Sequence, residues 1–418
     1  MTYDVVRSER AERPVLSSRL AGMGTTIFSE MSALAVATGA VNLGQGFPDS
    51  AGPLEVTEAA VAAIRAGHNQ YPPGPGTLEL RAAIAAHQRR FYGLEVDPVH
   101  GVLVTAGATE AIAAAMLSLV EPGDEVVALE PYYDSYAATI AMAGGIRVPV
   151  TLRPPDFSVD LGALRAAVTR RTRLLLVNSP HNPTGAVLTR AELSAIAELA
   201  VERDLLVVTD EVYEHMALDG EHVPLSTFPG MAERTLTISS AGKTFSVTGW
   251  KVGWASGPAE LVRAAATAKQ FLSFAGGAPF QPGVVAGLGL PDAYFEGMAA
   301  DLRARRDFLC DGLAGAGFEV FRPRGTYFVT TDVRALGYED GLAFCRDFPR
   351  RAEVVAVPCS VFYDDPAAGR SLVRFTFCKQ PAVLAEAVNR LSRAFRGTAG
   401  AGSDGDGVGR GVGGEGER

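Results

Sequence analysis

The chain has 418 residues, 47% of them hydrophobic and 20% charged, and its formal net charge is −9. This length suits two domains, or one large domain with a smaller partner, and the apolar fraction excludes disorder as the main state. A net acidic chain without a long basic run is a poor candidate for binding nucleic acid or an anionic membrane surface.

The beginning of the chain shows no targeting or membrane-spanning pattern. Residues 1–13 are polar and charged and lack the apolar stretch of a secretory signal. The longest clean apolar run, residues 111–120, is far shorter than a membrane span. We therefore expect a soluble, cytoplasmic protein without a membrane partner.

The middle of the chain alternates short apolar runs with segments of helical periodicity. The apolar runs lie at 102–104, 125–129, 174–177, 205–208 and 236–238, and the clearest helical segments lie at 109–119 and 190–202. Strands that are apolar on both faces and separated by helices predict an α/β fold with a largely parallel sheet.

From about residue 292 the pattern changes to that of a smaller α+β domain. A helical stretch at 293–313 precedes strand-like pieces at 318–321, 327–331, 354–357 and 372–377, and a last helix is predicted at 382–395. Residues 397–418 hold ten glycines without apolar periodicity, and we expect them to be disordered. The predicted organisation is an N-terminal arm with part of the small domain at 1–46, a large domain at 47–290, a small domain at 291–396 and the glycine-rich tail at 397–418.

Cysteine and histidine spacing does not predict a metal site. The four cysteines contain no CxxC pair, and the six histidines contain no HExxH motif or close pair. We expect no metal ligands and a reduced environment.

Residues suited to catalysis or ligand binding follow the predicted strands, at the edge where open α/β sheets bind ligands. In residues 105–110, Gly107 lets the chain turn, and the N–H groups of Ala108 and Thr109 could face an anion at a helix N-terminus. Taken alone, this loop is more simply explained by an ordinary threonine N-cap. In residues 178–185, two asparagines stand among prolines, which is typical of a turn but also fixes side-chain donors.

In a third loop, residues 209–213, Asp210 and Glu211 follow the apolar run at 205–208, so we expect at least one of these carboxylates to be partly desolvated. A partly desolvated carboxylate there needs either an arginine or a cationic ligand atom, although a capping aspartate is the simpler interpretation.

The strongest signal lies in residues 239–254. Only four of the 38 basic residues are lysines, and two of them, Lys243 and Lys251, lie here among hydroxyls, glycines and both tryptophans. Codon bias accounts for the general scarcity of lysine but not for this cluster. A lysine amine, unlike a guanidinium, can lose its proton and form an imine with an aldehyde.

Together these loops resemble those of class I, fold-type I aminotransferases that depend on pyridoxal phosphate (PLP). The signature is met by Ser240, Lys243, Lys251 and Gly253, and the resemblance extends from about residue 25 to 396. Residues 42–48 and 241–254 are similar to the kynurenine/glutamine transaminase branch. Within that branch, residues 69–76, 107–112, 276–282 and 373–379 are most similar to bacterial N-succinyldiaminopimelate aminotransferases.

The resemblance implies the PLP-dependent transferase fold of type I, with a mainly parallel seven-stranded sheet, and roles for individual residues. Lys243 would form the imine with PLP and later act as the base at the substrate Cα, Asp210 would pair with the pyridine nitrogen, and Tyr133 would stack on the ring. Tyr213 and Asn182 would bind the phenolic oxygen. The phosphate would be held by the Gly107–Ala108–Thr109 turn, Ser240 and Lys251, with Tyr71 reaching the phosphate of a neighbouring subunit in a homodimer with shared sites.

The substrates implied are a small amino acid and a 2-oxo acid. Arg374 would bind the substrate carboxylate, beside Asn178 or Asn182 and the Gly46 backbone, and Phe28 would line the pocket. From spacing alone, Arg374 could equally form a structural ion pair, and Phe28, Tyr71 and Tyr133 could be core aromatics.

The sequence departs from the family at two points. Most of the class has arginine where this chain has Lys251. The aromatic–histidine step of the kynurenine branch is absent, with Phe274 followed by Ala275 and two glycines in a slightly longer loop.

The resemblance implies one leading function and leaves two alternatives. The first is transamination of N-succinyl-LL-2,6-diaminopimelate with 2-oxoglutarate in lysine biosynthesis. The second is a kynurenine, glutamine or aromatic transaminase with cysteine-conjugate β-lyase activity. A PLP-sensing transcription regulator is a remote third, because only about two dozen polar residues precede Thr25 and such regulators need an added DNA-binding domain.

Overall fold

The structure is a computed structural model that describes residues 15–21, 23 and 26–395. The glycine-rich segment 397–418 and the first part of the predicted N-terminal arm, residues 1–14, lie outside the described residues.

The strands and helices are numbered in chain order. The strands are β1 (Val41–Asn42), β2 (Val102–Thr105), β3 (Glu125–Glu130), β4 (Ile146–Thr151), β5 (Thr172–Asn178), β6 (Leu206–Asp210), β7 (Thr235–Ser240), β8 (Gly253–Ser256), β9 (Glu319–Phe321), β10 (Phe328–Asp332), β11 (Val354–Val355), β12 (Val357–Pro358) and β13 (Leu372–Thr376). The α-helices are α1 (Ile27–Thr38), α2 (Leu54–Arg65), α3 (Leu78–Tyr92), α4 (Gly107–Leu119), α5 (Asp134–Ala143), α6 (Leu161–Ala167), α7 (Arg190–Glu202), α8 (Ala241–Thr244), α9 (Ala259–Leu272), α10 (Gln281–Leu288), α11 (Asp292–Gly315), α12 (Gly341–Ala352) and α13 (Pro381–Ala394).

A seven-stranded sheet dominates the middle of the chain, in the order β2-β8-β7-β6-β5-β3-β4. All neighbouring strands are parallel except β8, which runs antiparallel to both β2 and β7. The predicted α/β fold with a mainly parallel seven-stranded sheet is therefore confirmed.

The central strands are apolar on both faces because helices cover both sides of the sheet. In β5, Leu174 and Leu176 belong to the core that contains residues of α4 and α9, whereas Leu175 and Val177 belong to the core on the opposite side, with residues of α7. Alternation along a strand sends successive side chains to opposite faces, so two packed faces require a continuous apolar run.

Two strands of this sheet were missed by the apolar-run criterion. The edge strand β4 is mostly exposed or half-buried and contains a proline, so it carries no continuous apolar run. The second, β8, is only four residues long and lies inside the motif that was interpreted as a loop, although all four residues are buried.

The C-terminal part of the chain forms a second sheet, of order β12-β13-β10-β9, whose pairs are antiparallel. The run at 354–357, predicted as one strand, divides into β11 and β12 in different sheets. Strand β1 pairs with β11 in parallel, which joins the N-terminal segment that contains β1 to the C-terminal part of the chain. The domain boundaries at 46, 290 and 396 stay predictions.

The strand register determines which residues meet at the edge of the large sheet. Asn178 at the end of β5 lies opposite Asp210 at the end of β6, and Asp210 lies opposite Ile238 of β7. The residues that follow these strands therefore converge at one edge. In the described part of the chain, no helix is both long and apolar enough to cross a membrane.

Candidate active site

A cavity of about 260 Å³ lies at the carboxyl ends of the central strands. It is lined by residues from five separate segments, which the sheet brings together across more than 140 residues of sequence. The sequence-predicted residues that line it are Gly107, Ala108, Thr109, Tyr133, Asn178, Asn182, Asp210, Tyr213, Ser240, Lys243 and Lys251.

Lys243 lies in the short helix α8, directly after β7, and its amine lies near aromatic rings and forms no salt bridge within the described part of the chain. Its Nζ donates to the carbonyl of Gly46 at 3.4 Å and lies 5.8 and 5.7 Å from the ring centres of Tyr213 and Tyr327. Burial lowers the pKa of this amine from 10.5 to about 8. A larger fraction of Lys243 is therefore neutral near pH 7 than for an exposed lysine, and the neutral amine is the nucleophilic form.

Asp210 lies at the floor of the cavity and is 5% exposed. Burial raises the pKa of this carboxyl to about 6, opposed by hydrogen bonds from the Tyr136 hydroxyl at 2.6 Å and the Val212 N–H at 3.3 Å. Among the described residues, no arginine or lysine forms a salt bridge with Asp210, and such a buried carboxylate is suited to a cationic ligand atom. A capping role for Asp210 would account for the hydrogen bond from the Val212 N–H but not for the one from Tyr136.

Tyr136 was not predicted as a site residue. It stands on the first turn of α5, three residues after Tyr133, and the two rings are perpendicular with centres 5.8 Å apart. In the sequence, a tyrosine on a helix facing a core looks like any other core aromatic. Its position three residues after Tyr133, the predicted ring-stacking residue, is the sequence feature that indicates a role in the site.

The anion-binding end of the cavity is formed by the start of α4 and by Lys251. Gly107 has a φ of +76°, and a Cβ built there would lie 3.3 Å from the Lys251 Nζ. Lys251 itself has a φ of 54° and is exposed. The helix is capped by Ala106 without a side-chain hydrogen bond, and Thr109 lies within its first turn. A threonine N-cap is therefore not the role of this loop, and its backbone N–H groups and dipole favour an anion.

Arg374 lies on β13, is 2% exposed, and borders a second cavity of about 220 Å³ adjoining Lys243. Its two terminal nitrogens donate to the Asn182 side chain and to the carbonyl of Gly44, both at 3.0 Å, and its Nε is buried without a partner. No carboxylate among the described residues forms a salt bridge with it, so the ion-pair alternative is wrong. A buried guanidinium with an unused donor is suited to a carboxylate ligand.

Aromatic rings surround this guanidinium. Its Cζ lies 4.0 Å from the ring centre of Phe328 and 5.3 Å from those of Phe28 and Phe362. Phe28 and Gly46 line the same cavity, as predicted residues of the substrate pocket. The rings limit access of water to Arg374, which strengthens its attraction for an anion.

The two asparagines have different surroundings. The Asn178 side chain donates to the carbonyls of Asp210 and Pro180, at 2.7 and 3.2 Å, and accepts from the Asn182 N–H at 2.8 Å. Asn178 thus holds the turn in place, whereas Asn182 contacts Arg374. Of the two predicted carboxylate neighbours, the structure places Asn182 beside the guanidinium.

Tyr71 lies away from both cavities of its own chain and is 81% exposed. Its ring meets Phe274 edge-on at 5.7 Å, and Phe274 is also exposed. The core-aromatic alternative is therefore wrong for Tyr71. Its predicted contact with the phosphate of a neighbouring subunit stays a prediction.

The two lysines that the sequence left unexplained both bind main-chain carbonyls. Lys269 donates to the carbonyls of Gly74 and Phe274, each at 2.7 Å, and so joins the loops that carry Tyr71 and Phe274. Lys379 donates to the carbonyl of Phe47 at 2.8 Å. An ammonium with three donors on a flexible stem fits such contacts.

A buried cluster of histidines and a glutamate lies close to the site. The Nε2 atoms of His87 and His215 are 2.8 Å apart, and Glu214 accepts from Ser239 at 2.6 Å and from Tyr92 at 2.8 Å. His87, Glu214 and His215 could together hold a metal ion. However, His87 Nδ1 is buried without a partner, whereas a zinc-bound imidazole normally donates its second N–H. The expectation of no metal site stays a prediction.

Comparison with known proteins gives consistent results. The family profile described as aminotransferase class I and II matches residues 38–391. Over 387 residues the chain is 57% identical to the probable N-succinyldiaminopimelate aminotransferase DapC of Mycobacterium tuberculosis, covering 90% of this chain and 97% of that protein. It is 39% identical over 375 residues to the methionine aminotransferase of Escherichia coli K12, covering 90% and 97%. It is 36% identical over 414 residues to the kynurenine–oxoglutarate transaminase of Dictyostelium discoideum, covering 90% and 95%.

A solved structure of N-succinyldiaminopimelate aminotransferase from Mycobacterium tuberculosis matches the fold with a TM-score of 0.89 at 56% identity, covering 91% of this chain and all of that one (100%).

Proposed function

This chain belongs to the aminotransferase class I and II family and is a PLP-dependent enzyme, and on that premise we propose that its amino donor is N-succinyl-LL-2,6-diaminopimelate and its acceptor 2-oxoglutarate. The observation that supports this choice of amino donor is the 57% identity to a probable N-succinyldiaminopimelate aminotransferase, over 90% of this chain and 97% of that protein. The reaction class follows from the family and suits a site built around Lys243.

The residues of the first cavity fit the cofactor. It needs a nucleophilic amine, an acid beside a cationic ring nitrogen and donors for a phosphate, and the site offers Lys243, Asp210 and the Gly107–Lys251 end. When bound, PLP supplies an aldehyde for the lysine and an electron-withdrawing ring that stabilises negative charge at the substrate Cα.

Lys243 carries the proton transfer in this proposal. Its unprotonated amine would take the proton from the substrate Cα as a general base and, as the conjugate acid, would then deliver a proton to the carbon that carried the cofactor's aldehyde. The lowered pKa of about 8 keeps part of the amine unprotonated near neutral pH, as a general base requires. The Gly46 carbonyl and the Tyr327 ring beside its Nζ restrict where the amine can lie.

Arg374 orients the substrate for that step. Its buried, partly unsatisfied guanidinium binds the α-carboxylate, and Asn182 and the Gly44 carbonyl fix the plane of the guanidinium. Holding the carboxylate fixes the Cα–H bond relative to Lys243, which contributes to the rate by orientation.

The second candidate is an aromatic, kynurenine or glutamine transaminase with cysteine-conjugate β-lyase activity. The observation favouring it is the set of rings beside the substrate cavity, Phe28, Phe328 and Phe362 around Arg374. Similarity to methionine and kynurenine transaminases supports it as well. The lower identity of these relatives places it second.

The homodimer with shared sites and the cytoplasmic location are part of the proposal. Exposed Tyr71 and Phe274, joined edge-on, together with exposed Phe271, give an apolar surface near the loop fixed by Lys269. A second copy covering this surface would bring Tyr71 near its phosphate site.

A donor panel tests the substrate. Purified enzyme is assayed with 2-oxoglutarate and, in turn, N-succinyl-LL-2,6-diaminopimelate, kynurenine, glutamine and methionine, and kcat/KM is compared. We expect the succinylated donor to exceed the others by at least about tenfold, a difference of about 1.4 kcal/mol in transition-state binding. A higher value for kynurenine or glutamine would establish the second candidate instead.

A further inference from the structure

One wall of the substrate cavity is a short strap, residues 44–47. Gln45, Gly46 and Phe47 border the cavity together with Arg374 and Lys243. The strap lies outside every α-helix and strand, so its position depends on contacts with other parts of the chain.

The strap is held through its carbonyl groups by side chains of the site. The Gly44 carbonyl accepts from Arg374 at 3.0 Å, and the Gly46 carbonyl accepts from the Tyr327 hydroxyl at 2.7 Å and from Lys243 at 3.4 Å. These contacts link the strap to both the carboxylate-binding residue and the catalytic amine. None of these three hydrogen bonds involves Phe47, at the other end of the strap.

Lys379 holds that end. Its Nζ donates to the Phe47 carbonyl at 2.8 Å and lies 4.2 Å from the centre of the Phe47 ring. Phe47 is 44% exposed and faces the cavity, whereas Lys379 is only 6% exposed. The ammonium therefore fixes both the main chain and the ring of a residue that the substrate would meet.

Stability does not account for this ammonium. Among the residues that the structure describes, no carboxylate forms a salt bridge with Lys379, and its Nζ contacts a carbonyl and a ring face. A buried cation without an anionic partner generally costs stability compared with an apolar side chain of similar size. Its placement is better explained by what it positions.

We propose that Lys379 is a positioning residue, whose ammonium holds the Phe47 end of the 44–47 strap and so sets the shape of the substrate cavity beside Arg374. This inference rests on the proposed function, since the cavity must receive a carboxylate substrate. It adds a residue that contacts neither cavity directly and acts through Phe47.

The test compares Lys379→Met, Lys379→Arg and wild type as holoenzymes, with KM, kcat, cofactor affinity and the melting midpoint measured for each. We expect Lys379→Met to raise the KM for the amino donor about tenfold, because the Phe47 end of the strap would no longer be held beside Arg374 and substrate binding would have to order it. Its kcat should change much less, its cofactor affinity should stay the same, and its melting midpoint should not fall. Lys379→Arg should restore most of the KM, because a guanidinium can also donate to the carbonyl and lie over the ring.

The matched control is Arg390→Met. Arg390 also donates to main-chain carbonyls, those of Gly39 and Glu353 at 3.4 and 3.1 Å, but outside the cavities that border Lys243. Its KM should equal that of wild type. An unchanged KM in Lys379→Met, or a KM that rises only together with a lower melting midpoint and weaker cofactor binding, overturns the positioning role.

Failure of the proposed function is distinguishable from failure of this inference. If wild type does not transaminate the succinylated donor but does accept another amino acid, the substrate proposal fails and the comparison of variants is made with that amino acid. If wild type is active and Lys379→Met matches it, the inference about Lys379 alone fails.

Discussion

The hydroxyl of Tyr136 donates a 2.6 Å hydrogen bond to Oδ2 of Asp210, inside a site where both side chains are buried. Burial raises the pKa of Asp210, and this hydrogen bond opposes that rise. Tyr136 therefore favours the ionised form of the carboxyl that we propose for the ring nitrogen of the cofactor.

Tyr136→Phe should weaken cofactor binding. Loss of a hydrogen bond to a charged group costs about 1.5–3 kcal/mol, so we expect the dissociation constant to rise at least about tenfold. Equilibrium dialysis measures it. Tyr338→Phe, which removes an exposed hydroxyl that donates to Asp347 at 2.8 Å, is the matched control and should bind normally. Equal affinity of Tyr136→Phe and wild type would show that the bond is unimportant.

Asp210→Asn should stabilise the cofactor-free protein above pH 6. In the folded protein the pKa of Asp210 is about 6, above its ordinary value of 3.8, so ionisation disfavours the folded state and stability falls as pH rises from about 4 to 6. The difference corresponds to about 3 kcal/mol. Denaturant unfolding at pH 4 and pH 8 measures it, and the variant's advantage should appear only at pH 8.

Exposed Glu58→Gln serves as the control for that experiment and should show no such pH-dependent gain. With the cofactor added, wild type should be more stable than Asp210→Asn at pH 8, because the cationic ring nitrogen would pair with the Asp210 carboxylate. A variant less stable than wild type at pH 8 without the cofactor contradicts the account.

Lys251→Met should lose phosphate affinity, whereas Lys251→Arg should keep most of it. The Lys251 Nζ lies beside Gly107 at the start of α4, and arginine carries the same charge. Removing one charge-assisted contact predicts a rise in the cofactor dissociation constant between about tenfold and a hundredfold. Titration of the cofactor-free variants measures it. If both variants bind as wild type does, Lys251 is not a phosphate ligand.

Arg374→Lys should impair substrates that have an α-carboxylate. Lysine keeps the charge but cannot bind a carboxylate through two parallel bonds, so we expect kcat/KM for the amino donor to fall about a hundredfold. Cofactor affinity should be unchanged. The control is a primary amine without an α-carboxylate, for which variant and wild type should have the same low kcat/KM. If the substitution lowers kcat/KM for this amine as well, Arg374 does not act through the α-carboxylate.

Much of the fold was predictable because the central strands are continuous apolar runs. The runs at 125–129 and 174–177 became β3 and β5 with small shifts at their ends. Strand β4 was not predictable in this way, since an edge strand with one open face needs no apolar run. The division of 354–357 between two sheets depends on partners distant in sequence.

The candidate site was predictable where its chemistry is local. The cluster around Lys243 stands out because hydroxyls, glycines and rare lysines are adjacent in sequence. The roles of Tyr136 and Lys379 were not predictable, because their hydrogen-bond partners are 74 and 332 residues away in sequence. Asn178 and Asn182, equivalent in sequence, were separated only by their hydrogen bonds.

The account depends most on the attachment of the cofactor to Lys243. Borohydride reduction of the holoenzyme, followed by peptide mass analysis, tests it directly. We predict the mass of the reduced cofactor on the peptide containing Lys243 in wild type, none in Lys243→Ala, and loss of donor turnover in that variant. Modification of Lys251, Lys269 or Lys379 in place of Lys243, or full turnover by Lys243→Ala, would contradict the account.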